Sequence, residues 1–201
     1  TIRDGSLALQ ASELGHPLIN TRVTNDVKIQ KPTQILLITG SNMSGKSTLL
    51  RTVGLNLVLA YSGAPVCARE FTCINMHVYT CMRVSDNLEQ NISSFYAELL
   101  RIKMIVEASK RNQKVFFLLD EIFKGTNSID RHAGAEMLIN KLSGSGAVGM
   151  VSTHDLELAE LECNSRNSVK NYHFREYYTN DQIQFDYKLR TGVSTTRNAR
   201  Y

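Results

Sequence analysis

The chain has no run of eighteen apolar residues, so no segment of it is built to cross a bilayer as a helix. No secretory signal pattern opens at Thr1. Cysteine is sparse: Cys67, Cys73, Cys81 and Cys163 have neither CxxC nor zinc-ligand spacing, and they read as reduced, mostly buried thiols of a cytoplasmic protein. No internal repeat is visible and no tract is of low complexity, so the chain is expected to fold. Neither charge sign dominates: the net charge of +4 permits contact with nucleic acid without demanding it. The one acid-free basic stretch, "KLRTGVSTTRNAR", reads as a solvated tail, with phosphate contact as the second reading. The chain starts at Thr and stops in "TTRNARY", which suggests a piece of a longer protein.

What is present is a regular alternation of apolar runs and helical patterns. Residues 1–33 are mixed and loop-rich, with "LGHPLI" and "VTNDVKI" as short strand candidates, and form a lead-in to a domain over 34–201. "QILLIT" (34–39), "KVFFLLDE" and "AVGMVST" are continuous apolar runs typical of strands buried on both faces. A helix is predicted from Lys46 to Tyr61, ended near Ser62-Gly63. "FTCINMHVYT" (71–80) suits one further strand. Phe95, Leu99, Ile102 and Val106 recur at helical spacing between Ser93 and Arg111. Another helix is predicted over 130–142 with Asp130 at its start, and Asp155 is placed to cap a short one. Residues 168–176 and 182–189 pattern as a hairpin turning at 179–181. Strands alternating with helices imply an α/β domain around a largely parallel sheet, with additional antiparallel strands.

The chemistry lies at the ends of the apolar runs. Gly40-Ser41-Asn42-Met43-Ser44-Gly45-Lys46-Ser47 fits GxxxxGK(S/T), between a strand and a helix that continues through Thr48. Glycines let backbone N–H groups close around phosphate oxygens, and the helix N-terminus adds a favourable dipole. In such a loop Lys46 reaches the β- and γ-phosphates and Ser47 ligates Mg2+. Asp120 ends the run "VFFLLD", where a carboxylate can hold the metal through water, and Glu121 follows, suited to polarising an attacking water. His154 ends "GMVST" in the same way and is placed to sense the γ-phosphate. "FKGTNSID" and "NISSFYAELL" are, as bare sequence, a capped turn and a capped helix start.

Together, "TGSNMSGKST", "DNLEQNISSFYAE", "LLDEIFKGTNSID" and "VSTHDLELAEL" resemble, in order and separation, the ATPase domain of the MutS family, the ABC-type P-loop ATPases of DNA mismatch repair and recombination. The resemblance runs from "LGHPLI" to "TTRNA" and implies a P-loop NTPase fold of ABC type, ATP and Mg2+ as ligands, and composite sites in a dimer. It implies that Ser93 crosses a homodimer interface to the ATP of the opposite subunit, and that Asp130 belongs to the loop communicating between the two sites. Arg22, beside Val23, stands where the family stacks a Phe on adenine, and Tyr187 matches an aromatic or His position on the other side of the base. Departures include Ser41 for a usual Pro, Ser44 for a usual Gly, and Phe123-Lys124 for a common Gly-Arg, marking a divergent branch. The mismatch-reading Phe-x-Glu of the family belongs to an N-terminal domain; "FRE" at 174–176 shares only its letters.

The expectation is ATP binding and hydrolysis driving conformational switching, with ATP and ADP as ligands and DNA contacted through domains absent from this chain. Two rivals remain. One is an ATP-gated dimerisation module with little turnover. The other is a different ABC-type ATPase, such as one of DNA maintenance: the LSGGQ of transporter subunits is missing, and the 74 positions between Lys46 and Asp120 leave no room for the long coiled coil of chromosome-maintenance ATPases. A small-molecule P-loop kinase would give His154 and Ser93 nothing to do.

Overall fold

The computed structural model describes residues 6–82, 94–111, 113–164, 168–179 and 182–193. Its centre is a six-stranded sheet in the order β11 (Arg190–Thr191), β8 (Val169–His173), β3 (Ile35–Thr39), β7 (Val148–Thr153), β6 (Val115–Asp120), β5 (His77–Cys81). All neighbours run parallel except β11, which pairs antiparallel with β8.

The apolar runs fold as central strands because both of their faces are covered. All five residues of β3 are buried. Leu36 and Ile38 pack with Leu49, Leu50, Val53 and Leu57 of α1 (Lys46–Tyr61). Their neighbours Ile35 and Leu37 face the other way, against Ile102 and Ile105 of α2 (Ser94–Lys110) and Leu138, Ile139 and Leu142 of α3 (Ser128–Gly144). Period-2 alternation thus fills two cores, one on each side of the sheet. The α1 side is closed by an antiparallel sheet of β2 (Asn25–Gln30), β1 (Leu7–Leu14) and β4 (Glu70–Cys73), whose Leu9, Leu14, Val27 and Ile29 enter the same core.

Several expectations need correcting. "LGHPLI" is not a strand: β1 lies just upstream and 15–24 is the connection to β2. "FTCINMHVYT" is two strands, β4 and β5, which belong to different sheets, so the chain must break between them. The segment 168–176 supplies β8 of the main sheet, and the hairpin is instead β9 (Glu176–Thr179) with β10 (Gln182–Phe185). Helix α3 starts at Ser128, and its cap is Asn127, whose side chain accepts from the Asp130 N–H. On α2 the buried stripe is Glu98, Ile102, Ile105 and Ser109, with Leu99 turned outward. Cys73 and Cys81 are buried, Cys67 is half-buried and Cys163 is exposed. Asp155 accepts the Glu157 N–H, but the N-cap of the 3-10 turn that follows (Glu157–Glu160) and leads into α4 (Leu161–Asn164) is Leu156, not Asp155.

Register decides what meets at the carboxyl edge of the sheet. Thr39 pairs with Thr153, and Asp120 with Ser152. Because β7 lies between β3 and β6, the loop after Thr39, His154 after Thr153, and Asp120-Glu121 emerge side by side. That edge is where open α/β sheets bind ligands. Among the described residues no helix is long and apolar enough to cross a membrane.

Candidate functional site

Loop 40–45 turns tightly enough to require unusual backbone: Gly40, Met43 and Gly45 have φ of 150°, 65° and 105°. Gly45 is doubly constrained, since a Cβ there would also lie 3.1 Å from the Tyr187 ring. Helix α1 begins straight from Gly45 with no side-chain cap and no acid in its first turn, which leaves its leading N–H groups available to an anion. The Oγ atoms of Ser41 and Ser44 are buried without a hydrogen-bond partner among the described residues. Orphaned donors around a glycine-flanked loop fit a phosphate ligand.

Lys46 is only 3% exposed. Its ammonium donates to the carbonyls of Gly40 and Ser41, both at 2.8 Å, and lies 3.6 Å from Glu121 Oε1. The ring nitrogens of His154 lie 3.4 and 3.5 Å from the same Nζ. Burial pushes the Lys46 pKa down, and the carboxylates of Glu121 and Asp120 work against that shift. Burial alone would raise Glu121, but Lys124, His154 and Lys46 together hold its carboxyl below the usual range. Lys124 contacts Glu121 Oε2, and His154 Nε2 contacts Oε1. Asp120 Oδ1 accepts from the Ser152 hydroxyl of the adjacent strand. Ser47 and Asp120 line the same cavity and offer oxygens, the donor type suited to Mg2+.

The cavity over the loop has a volume of about 580 Å³, within the usual range for a small-molecule site. Asn42, Met43, Ser44, Gly45 and Thr48 line it together with Lys46 and Glu121. Arg22 and Val23 line it too, the arginine stem lying across Gly15. Tyr187 lines the cavity as well, so the structure brings the three residues proposed for a base into one space. Ser93 lies outside the described residues. Asp130 is exposed, and its carboxylate accepts from the Asn127 side chain.

Sequence reasoning passed over three groups that this geometry uses. Lys124 registered only as a departure from a family pattern, yet three residues after Glu121 it can turn back onto that carboxylate. Ser152 precedes the strand end and holds Asp120. Glu98 accepts the Phe123 N–H at 2.6 Å from within the buried stripe of α2. Its signal was the 98, 102, 105, 109 spacing, which places a carboxylate in line with two buried isoleucines.

The relatives of the chain are consistent over nearly all of its length. It is 34% identical over 194 residues to a DNA mismatch repair protein MutS from Geobacillus sp., covering 92% of this chain and 22% of that protein. With the protein of the same name from Aquifex pyrophilus it shares 35% identity over 185 residues, 88% of this chain and 21% of the relative. For the one from Macrococcus caseolyticus the figures are 32% over 201 residues, 96% and 23%. The chain therefore spans about a fifth of the length of the curated relatives it matches. The family model for MutS domain V matches residues 36–199, from the strand beneath the glycine-flanked loop to beyond β11. On that match the chain belongs to the MutS family and corresponds to its domain V.

Proposed function

We propose that this chain is a P-loop ATPase module of ABC type. It binds ATP with Mg2+ over loop 40–47 and hydrolyses it to ADP. The observation that carries the reading is the buried Lys46 ammonium, held by two loop carbonyls and facing Glu121 and His154. A cation kept at that depth has a purpose if phosphate oxygens take over its contacts. Gly40, Ser41, Asn42, Met43, Ser44, Gly45 and Thr48 surround the phosphates with backbone and hydroxyl donors. Ser47 and Asp120 would hold Mg2+, which supplies neutralising charge to the phosphates. Glu121 orients the attacking water, its ionised form favoured by Lys124 and Lys46 beside it. His154, against Glu121, keeps that carboxylate and the terminal phosphate in register. Arg22, Val23 and Tyr187 enclose the base.

Two copies pair head to tail across this face. Met43, Ile129 and Leu156 are 83%, 79% and 42% exposed, apolar surface that a partner would cover. Ser93 then completes the opposite site. The relatives are named for DNA mismatch repair, so the larger process proposed is repair or recombination, with DNA engaged by domains outside this chain.

Calorimetry with Mg-ATP, followed by a phosphate-release assay on the same protein, tests the reading. Absence of binding overturns it. Binding without release favours the second reading, an ATP-gated dimerisation module. One observation speaks for that alternative: both Glu121 oxygens are already engaged, by Lys124 and by His154.

A further inference from the structure

The turn that presents Glu121 is held in an unfavourable backbone conformation. Glu121 and Phe123 both lie in the left-handed region, with φ of 51° and 61°. Side-chain-bearing L-residues rarely adopt it, and two so close together persist only where surroundings enforce them. Helix α2 does the enforcing. The Glu98 carboxylate, 9% exposed, accepts the Phe123 N–H at 2.6 Å. One turn earlier on the same helix, Phe95 packs against Gly125 so closely that a Cβ there would lie 2.9 Å from its own Cβ. The Phe123 ring is also buried against Gly134 of α3.

A buried N–H needs an acceptor, and the turn has turned this one away from its own chain. An apolar residue at position 98 would fit the core stripe better but leave that donor orphaned. Glutamate costs burial of a carboxyl group and returns a short bond that fixes where residues 121–123 point. We propose that Glu98 is a positioning residue for hydrolysis: through the Phe123 N–H it locks the turn that aims Glu121 at Lys46. The inference rests on the ATPase reading above, and it adds a residue on a different element, remote in sequence from both nucleotide motifs.

The test compares wild type, Glu98→Leu and Glu98→Gln in the whole chain. Each is assayed for Mg-ATP affinity by calorimetry, for single-turnover hydrolysis, and for amide hydrogen exchange across 121–126 with strand β6 as the fold control. Glu98→Leu should bind Mg-ATP with unchanged affinity and hydrolyse it about 10²-fold more slowly, the scale of a misplaced catalytic group. Its 121–126 amides should exchange faster while β6 stays protected. Glu98→Gln keeps an oxygen acceptor and should restore both rate and protection. A folded Glu98→Leu protein with wild-type turnover, or with unchanged exchange over 121–126, overturns the proposal. If Glu98→Leu does not fold, the wild-type Phe123 amide decides: exchange as fast as that of an exposed loop refutes the bond, and protection matching β6 supports it. A wild-type protein that binds ATP without turnover would refute the hydrolysis reading, and the exchange comparison would still decide what Glu98 holds.

Discussion

Lys46 and Glu121 face one another across the mouth of the glycine-flanked loop, Nζ to Oε1 at 3.6 Å, with the lysine 3% and the glutamate side chain 12% exposed. The pair is not a simple ion bridge, because Lys46 also spends donors on Gly40 and Ser41, and Glu121 also meets Lys124 and His154. The cavity around the pair carries Arg22, Lys46, Arg51 and Lys124 against Asp120 and Glu121, an excess of positive charge suited to an anion. An incoming triphosphate would replace Glu121 and the loop carbonyls as the acceptor for Lys46, and for water to reach a Glu121 oxygen Lys124 or His154 would have to give way as well.

The first prediction tests this directly. Lys46→Ala should weaken Mg-ATP binding by about 2–5 kcal/mol, the scale for removing one partner of a buried charged contact. Calorimetry on a folded variant gives the answer, and unchanged affinity would remove the cavity over loop 40–47 from consideration as the nucleotide site.

Hydrolysis should separate from binding at Glu121. Glu121→Gln should keep ATP and lose about 10²–10⁴-fold in turnover, the usual contribution of a positioned acid–base group. Ser93→Ala should slow turnover from the other subunit. Mixing the two variants places both lesions in one composite site of a head-to-tail dimer and none in the other. Activity should therefore partly return on mixing. A mixture that forms mixed dimers and stays inactive would exclude independent shared sites.

The motifs were legible because each is local. A glycine-flanked loop, an Asp-Glu pair and a strand-end His declare themselves within a few residues, and strands such as β3 declare themselves by being buried on both faces. What sequence could not show was decided by distant partners. β4 and β5 read as one strand because nothing local announces that Cys73 pairs toward Leu9 while His77 pairs toward Val115. β8 read as a hairpin arm because its parallel pairing with β3 spans more than a hundred residues. Glu98 read as part of an ordinary helix start because the need for its carboxylate arises from Phe123, on another element.

A third prediction concerns pH. His132 Nδ1 bonds Asp155 Oδ2 at 2.7 Å, tying α3 to the residue after His154. The hydrogen bond to Asp155 raises the His132 pKa above 6.5; slight burial opposes it, and the charges of Asp155, Glu157 and Glu136 add to the rise. A raised folded-state pKa means that this stabilisation is complete below 6.5 and is lost as pH rises through the folded value. Asp155→Asn keeps an acceptor for the Glu157 N–H but removes the charge. It should destabilise the protein below that value and leave stability unchanged well above the folded one, as read by denaturant unfolding. An NMR titration should show the His132 pKa falling in the variant. Equal destabilisation at both extremes would mean that the pair does not act through charge.

The last prediction concerns the base. Tyr187 has φ of 55° and is fixed from two directions. Asn25 donates to its carbonyl at 3.0 Å and accepts the Leu189 N–H at 2.7 Å. Beside it, Arg190 bonds Asp186 at 2.5 Å and Tyr177 at 2.8 Å, and Tyr177 in turn donates to Asp186 at 3.0 Å. The Arg190 bond, outweighing burial, pulls the Asp186 pKa from 3.8 to about 2. The contribution of this clamp is therefore complete above 3.8 and is lost only as pH falls through about 2. At neutral pH the ring is held ready beside Gly45. If it stacks on adenine, Tyr187→Ala should cost about 1–3 kcal/mol of ATP affinity, the scale for one base on one aromatic ring. Inorganic tripolyphosphate offers the same phosphates without a base, so its affinity should not change. Asn25→Ala should reproduce part of the ATP effect by releasing the backbone that aims the ring. Equal losses for ATP and tripolyphosphate would show that Tyr187 shapes the loop through Gly45 and does not read the base.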